Sequence, residues 1–440
     1  MKRLLIAVIL TLSGMFGSFI SPFYGLCIYI WFAYMRAQEW AWGAGWFMAM
    51  RPSLTLALCV IGGAIIHGEK IFRKNRISML VIFLWIIMFI SFLNASDHDT
   101  ALYWFDYISK VIILGCVIGG QVNSKKRLVT VVMILIVTIG YYSGKCGLFG
   151  ILNPSEKILQ GPGGMLGDNN EFALTFNMML PFFYFGGELI TDQRHKKYKV
   201  ALRILFYLSI LGVIFTYSRG GFLGLIAVIL MINYRSEKKF TSVIVTVMFA
   251  AMIVLFFTPE AYKDRVSTIN DSEEERDNSV KGRIHFWKVA ISIANDNPLF
   301  GVGPQCYSDV YNRYDTSGGY FGTNRAVHNS FFQMLADNGY IAFGLYVSLI
   351  IISIRTCQRL RKYAKPREDL SWIVNCANIF EISLIGFCVS GFFLSLAYGD
   401  LVYHLFFIIS SFNELAYSYL TATGKQTPEQ APVKTVPAIG

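Results

Sequence analysis

A chain of 440 residues would ordinarily fold as two or three soluble domains, yet 54% of this one is hydrophobic, only 15% is charged and the mean hydropathy is +0.48. Those values exclude a soluble globular enzyme and a disordered chain, and they point to a polytopic membrane protein. The net charge of +11 raises a nucleic-acid reading, which the placement of the basic residues must decide.

Spanning a bilayer takes roughly 17 to 25 apolar residues in a helix. Runs near that length occur at 4–35, 53–67, 77–93, 103–120, 127–143, 171–188, 200–216, 220–234, 240–257, 338–354, 372–397 and 400–421, the first broken by Ser21-Pro22. The alternating ten-residue pattern of a transmembrane barrel does not appear. The expected class is therefore an all-α polytopic membrane protein, because helices leave no backbone group unpaired in lipid. The basic segments Lys2-Arg3, 70–76, 125–127, 194–203, 235–239, 355–367 and the tail hold 25 of the 39 Lys and Arg, and by the positive-inside rule they face the cytoplasm. About twelve crossings with both termini inside then alternate correctly, provided 4–35 makes one net crossing as a kinked or half re-entrant helix. The basic surplus is topological, and no nucleic acid is expected as a partner. Residues 1–20 imitate a secretory signal without a clean cleavage site, so an uncleaved first span is expected.

This places 1–257 in an N-terminal transmembrane region of about nine crossings. Residues 258–337 form one large outer loop, 338–421 a three-helix transmembrane region, and 422–440 a disordered cytoplasmic tail. The other outer segments are 36–52, 94–102, 144–170, 217–219 and the turn near 398. The eight cysteines show no paired metal spacing; Cys146 and Cys306 fall in outer loops and are either bridged or two loose thiols.

A loop as long as 258–337 is usually functional or disordered. Its acidic part, 267–282, reads as a mobile solvated stretch. From Arg283 onward Ile284, Trp287, Ile291 and Ala294 recur at helical spacing with Arg283 and Lys288 off that stripe, which predicts an amphipathic helix on the membrane surface or over a cavity mouth. Asn297-Pro298 ends it, Gly301-Val302-Gly303-Pro304 turns the chain, and a second short helix is expected around 305–314. A Gly-rich linker, Ser317–Gly322, leads to Arg325-Ala326-Val327-His328-Asn329-Ser330, which opens a helix continuing through Asp337-Asn338-Gly339 into the tenth crossing.

The runs GVGPQCYSDVY at 301–311, AVHNSFFQMLADNGYIAFGLYV at 326–347 and TYSRGGFLGL at 216–225, in this polytopic frame, resemble the O-antigen ligase and polymerase family. The run LQGPGGMLGDNNEFALTFNMMLPFFYF at 159–185 is similar to the branch of O-glycosylation ligases associated with the exosortase A system. The resemblance covers about residues 1 to 421. It implies a GT-C-like helical fold in the bacterial inner membrane, with a loop covering a cavity at the periplasmic face. It also implies a lipid-diphosphate-linked glycan as donor and a hydroxyl-bearing acceptor, either lipid A core or protein. By matching to the family's motifs, His328 is the implied base and Arg219 and Arg283 the implied diphosphate binders, with no metal and no cofactor.

The residue types suit that chemistry. Transfer from a lipid diphosphate needs a base for the attacking hydroxyl, and an imidazole near pKa 6.5 accepts a proton at neutral pH. It also needs positive charge on the departing diphosphate, which a guanidinium supplies as a planar fork of donors. Diphosphate leaves well, so no protonating acid is required. Gly220 and Gly221, beside Arg219, are expected to let backbone approach a ligand closely. Arg325 is a third diphosphate candidate. Asp168, Asn169, Asn170 and Glu171 either hold sugar hydroxyls or orient the histidine, or else simply cap a helix; Asn329 is a supporting or sugar-binding candidate. Bland alternatives are a snorkelling Arg219, a solvated Arg283 and a helix-capping His328. Asp97-His98-Asp99 spells the acidic pair used by metal-dependent glycosyltransferases, but a short polar turn spells it by chance just as easily. The alternatives to a ligase are a polymerase of the same family and a transporter. Lys110 is among the few charges within a span and no inverted repeat is visible, which disfavours transport.

Overall fold

The computed structural model describes residues 2–37, 45–153, 158, 160–163, 166–190, 196–236 and 273–422. The expected ninth crossing at 240–257, the start of the large loop at 258–272 and the tail from 423 lie outside them. The helices are α1 (Lys2–Ser18), α2 (Pro22–Met35), α3 (Gly45–Ala49), α4 (Pro52–Ile66), α5 (Arg76–Leu93), α6 (His98–Gln121) and α7 (Lys125–Leu152). They continue with α8 (Asn169–Gly186), α9 (Lys196–Phe215), α10 (Arg219–Arg235), α11 (Glu273–Asp296), α12 (Tyr307–Tyr314), α13 (Ser330–Ala364), α14 (Ser371–Gly391) and α15 (Asp400–Thr421). A small antiparallel ribbon, β1 (Gln160–Gly163) and β2 (Leu166–Asp168), precedes α8 and is the one departure from all-α among the described residues.

Seven helices among the described residues are long and apolar enough to cross a membrane: Gly45–Ile66, Arg76–Leu93, His98–Gln121, Lys125–Leu152, Lys197–Phe215, Ser330–Ala364 and Glu368–Gly391. Helices α8, α10 and α15 stand where crossings are expected but are not among the seven. The reason is visible in α8 and α15, which are buried along almost their whole length and face protein rather than lipid, so Asn177, His404, Ser410 and Ser411 are tolerated there. The span 4–35 is two helices, α1 and α2, packed on each other, because Pro22 can occupy a first helical turn but not an interior one.

Three expectations shift further. Helix α7 runs nine residues past 143 to Leu152 and carries Cys146 within it; Cys146 and Cys306 are both free thiols. The acidic stretch from Glu273 is the start of α11 rather than a mobile segment, consistent with the helix propensity of Glu and Arg. On α11 the buried stripe is Phe286, Val289, Ala290, Ile293 and Ala294, while Ile284 and Ile291 remain 44% and 38% exposed. Both stripes keep helical spacing; the one bearing Phe286 wins because it packs with Val302, Tyr307, Tyr311 and Val327 into a small core belonging to the loop itself.

Helix α13 is broken at Gly339, whose φ of 78° and ψ of −179° are not helical. Only glycine fits there: a Cβ would lie 2.6 Å from the Leu299 backbone, and one at Gly301 would lie 2.4 Å from the backbone of Asp337. The two chain segments thus lock together, and the short helix from Ser330 to Asn338 is fixed at an angle to the longer one that follows.

Candidate active site

Four stretches distant in sequence meet at the end of the bundle that bears the loop. The first is the turn before α10. Tyr217 takes a left-handed φ of 54°, Ser218 caps the helix by accepting from Gly221 N at 3.1 Å, and Arg219 is its exposed first residue. A helix start carries partial positive charge and free N–H groups, so a guanidinium there makes an anion-seeking corner. Gly220 and Gly221 do not open onto a ligand as expected. A Cβ on the first would lie 2.6 Å from Phe393 and on the second 2.3 Å from Ala173, so both glycines allow close helix packing instead.

The second stretch is 167–171, and it is tied to the first. Asn169 Nδ2 donates to Thr216 O at 2.9 Å, and Ser218 Oγ donates to Asn170 Oδ1 at 2.8 Å. Asp168 and Glu171 form a capping box: Glu171 N donates to Asp168 Oδ1 at 2.8 Å while Glu171 Oε2 accepts from Asp168 N at 3.0 Å and Gly167 N at 2.6 Å. The capping alternative therefore holds for Asp168 and Glu171, and the two asparagines act as braces for the Arg219 turn. Asp168 stays exposed, with its charge within range of His328.

Helix α11 supplies the third element. Arg283 is half-buried, its guanidinium 5.7 Å from the ring centroid of Phe393, the same ring that packs on Gly220. Burial, and after it the charge of Arg219, depress the Arg283 pKa. The group remains cationic, since a free guanidinium titrates far above neutrality.

The fourth stretch is 325–330. His328 has a left-handed φ of 50°, an uncommon and strained state for a residue with a Cβ. Its backbone N donates to Ser395 Oγ at 2.9 Å. Asn329, fully buried, caps α13 by accepting from Phe331 N at 2.8 Å and Phe332 N at 3.1 Å, and donates to Phe392 O at 3.0 Å. Its polar atoms are thus occupied by support, and the cap is Asn329 rather than His328. Ser330 Oγ donates to Leu394 O at 2.7 Å and accepts from Leu396 N at 3.0 Å. The connection 392–399 between α14 and α15, expected to be largely helical, is instead an irregular strap that grips the start of α13.

The imidazole of His328 lies beside Phe286, centroids 6.2 Å apart, and the Arg325 guanidinium lies 5.7 Å from the centroid of the same ring. Burial first, then the positive charges of Arg283 and Arg325, hold the His328 pKa below its ordinary 6.5, against an upward pull from Asp168. Among the described residues neither ring nitrogen of His328 has a hydrogen-bond partner, and neither is sealed from solvent. Likewise Arg219, Arg283 and Arg325 make no ion pair among the described residues. Arg283 and Arg325, whose charges reach the neutral imidazole, and Arg219, whose charge reaches Arg283, can hold a polyanion beside a group that takes a proton.

Asp97-His98-Asp99 is accounted for by local structure. Asp97 caps α6, its Oδ1 accepting from Asp99 N at 3.0 Å and Thr100 N at 3.1 Å, and no group of three or more metal-type ligands exists among the described residues. Lys110 pairs with Asp106 one helical turn earlier on α6.

Several participants are not evident from the sequence. Phe393 and Ser395 lie in an apolar run with no polar signature. Asp337 is fully buried and holds the loop turn, accepting from Gln305 N at 3.0 Å, Tyr307 N at 3.0 Å and Tyr398 OH at 3.0 Å. The signal for Asp337 was available: a carboxylate inside an apolar helix must be satisfied by donors.

A family described as O-Antigen ligase matches residues 204–347, which include Arg219, Arg283, Arg325 and His328. A family of unknown function (DUF5935) matches residues 1–155. No curated protein matches the chain. Together with the candidate spans, these findings describe a multi-pass membrane protein in which residues 204–347 are similar to the O-antigen ligase family.

Proposed function

We propose that this chain is an inverting, metal-independent glycan ligase of the inner membrane. In this reading about twelve helices cross the bilayer and the His328 site faces the periplasm. The donor is a glycan on an undecaprenyl-type lipid diphosphate, and the acceptor is a hydroxyl of lipid A core or of a protein. The acceptor oxygen attacks the anomeric carbon opposite the diphosphate, inverting that centre. His328 takes the hydroxyl proton as the new bond forms, and the carbon–oxygen bond to the diphosphate breaks with its electron pair staying on phosphate. Arg219 and Arg283, with Arg325 at the rim, hold the charge that develops there. A histidine whose pKa is depressed is already neutral at pH 7 and ready to accept that proton. Arg219, at the start of a membrane helix, stands where a lipid anchored in the bilayer presents its diphosphate. The exosortase-associated branch rests on the 159–185 run alone, whose GDNNE segment braces the Arg219 turn.

The observation that carries this reading is that two ion-pair-free arginines, Arg283 and Arg325, act on one histidine with open ring nitrogens, while a third, Arg219 from another segment, acts on Arg283. The test is purified protein in lipid with a lipid-linked glycan, with and without a hydroxyl acceptor, in the presence of a chelator. Glycan transfer that requires the acceptor supports a ligase; growth of the lipid-linked glycan alone identifies the polymerase of the same family. Loss of activity on chelation contradicts the metal-independent mechanism.

A further inference from the structure

A second polar cluster stands at the loop end of the bundle, and the chemistry at His328 makes no use of it. Arg36 caps the C-terminus of α2, Tyr107 lies on α6, and Asp400 opens α15 directly after the strap that grips the start of α13. The Tyr107 hydroxyl donates to Asp400 Oδ1 and lies beside the Arg36 guanidinium. The charge of Arg36 also reaches Glu171, whose backbone donors, Gly167 N and Asp168 N, belong to the stretch that braces the Arg219 turn. Helices α2, α6, α8 and α15 thus bring a cation, a phenol and two carboxylates together, next to both supports of the candidate site.

This cluster is not closed on itself. Arg73 meets Glu414 at 2.9 Å, Arg127 meets Glu69 at 2.7 Å and Arg235 meets Glu381 at 3.0 Å. Arg36 and Asp400 stand 4.0 Å apart instead, beyond hydrogen-bond reach, with each side chain 15% exposed. Glu171 takes both of its backbone donors on Oε2. Among the described residues neither Glu171 Oε1 nor Asp400 Oδ2 has a hydrogen-bond partner, and neither is sealed from solvent. Two open acceptor oxygens and a guanidinium with donors to spare suit the neighbouring hydroxyls of a sugar, each of which both gives and accepts a hydrogen bond. The charge balance decides against a second phosphate, because one cation here faces two carboxylates, the reverse of the arginine-rich surroundings of His328. Trp104, half-buried with its ring centroid 5.4 Å from that of Tyr107, adds an aromatic wall, and an aromatic lining with a few placed polar groups is the usual make-up of a small-molecule site.

We propose that Arg36, Tyr107, Asp400 and Glu171 form a subsite for a neutral sugar ring, supplied by the donor glycan or by a sugar-bearing acceptor. The proposal deepens the ligase reading and rests on it. The test compares Arg36→Gln and Asp400→Asn with the unaltered protein in the same lipid. It measures binding of bare undecaprenyl diphosphate, binding of the lipid-linked glycan extracted from the source bacterium, and the acceptor KM. The bare lipid should bind all three proteins alike, since Arg219, Arg283 and Arg325 are untouched. Binding weakened about tenfold for the glycan-bearing lipid alone assigns the sugar to the donor; a tenfold rise in acceptor KM with donor binding intact assigns it to the acceptor. Unchanged values on both arms, or an equal loss with the bare lipid, overturn the subsite. Should the variants not fold, or the unaltered protein bind no lipid diphosphate, which would count against the ligase reading, hydroxyl-radical footprinting of the unaltered protein decides. The oligosaccharide released from the extracted glycan must protect Tyr107 and Trp104 while bare undecaprenyl diphosphate does not; no protection by the oligosaccharide refutes the subsite.

Discussion

His328 combines a strained backbone with a depressed pKa, and each has a traceable cause. The strain is held by the strap: Ser395 takes the His328 N–H, and Asn329 fixes the next residue to Phe392. The depression comes from burial and from Arg283 and Arg325. The sign of the pH effect follows. A base whose pKa lies below 6.5 stays competent from neutrality down past that value, so kcat/KM should be level to about pH 6.5 and fall only below it. An acid limb centred above 6.5 in that profile would contradict the assignment. Positioning is tested separately. Asn329→Ala should cost about 1 kcal/mol as a lost cap, and both it and Ser395→Ala should lower kcat with little change in donor KM, because the base is misplaced while the arginines are not. A change confined to KM would show that the strap serves donor binding instead.

Among elements, α10 and the short first part of α13 carry the site, and each is set by a close contact that glycine or a buried carboxylate makes possible. Gly220→Ala puts a Cβ 2.6 Å from Phe393, and overpacking of this kind costs about 1–3 kcal/mol. Since Phe393 also supports Arg283, the variant should melt lower and bind donor more weakly; unchanged donor affinity would separate Phe393 from the arginine pair. Asp337→Asn replaces one acceptor oxygen with a donor that faces Gln305 N, Tyr307 N or Tyr398 OH. Leaving buried donors unmatched costs roughly 1–3 kcal/mol, and hydrogen exchange at residues 301–307 should rise more than elsewhere. Uniform exchange would mean that Asp337 does not specifically anchor the turn. At this scale the sequence was informative about α12, expected around 305–314 and found at Tyr307–Tyr314, and about the end of α11, which stops before Asn297-Pro298. It misled on α11's buried face because two apolar stripes run side by side, and only contact with the loop's own core decides between them.

Across the whole molecule, hydropathy located nearly every helix that the structure describes, since a bilayer rewards long apolar runs whatever their neighbours. It could not reveal which helices are interior. Helices α8 and α15 keep polar side chains because they touch protein, and their burial depends on contacts between residues hundreds of positions apart, such as Tyr34 OH with His404 Nδ1 at 2.6 Å. The candidate site divides in the same way. His328, Arg219, Arg283 and Arg325 could be named from residue chemistry and motif resemblance, whereas Phe393, Ser395 and the bracing role of Asn169 and Asn170 emerge only when the chain is folded. The central claim, that one pocket separates diphosphate binding from proton abstraction, has a direct measurement: donor affinity and single-turnover transfer, side by side, for unaltered protein, His328→Ala and Arg219→Ala in the same lipid. The account predicts that His328→Ala binds donor normally with transfer reduced about a hundredfold or more, while Arg219→Ala loses both. Near-normal single turnover by His328→Ala, or full donor affinity in Arg219→Ala, would contradict it.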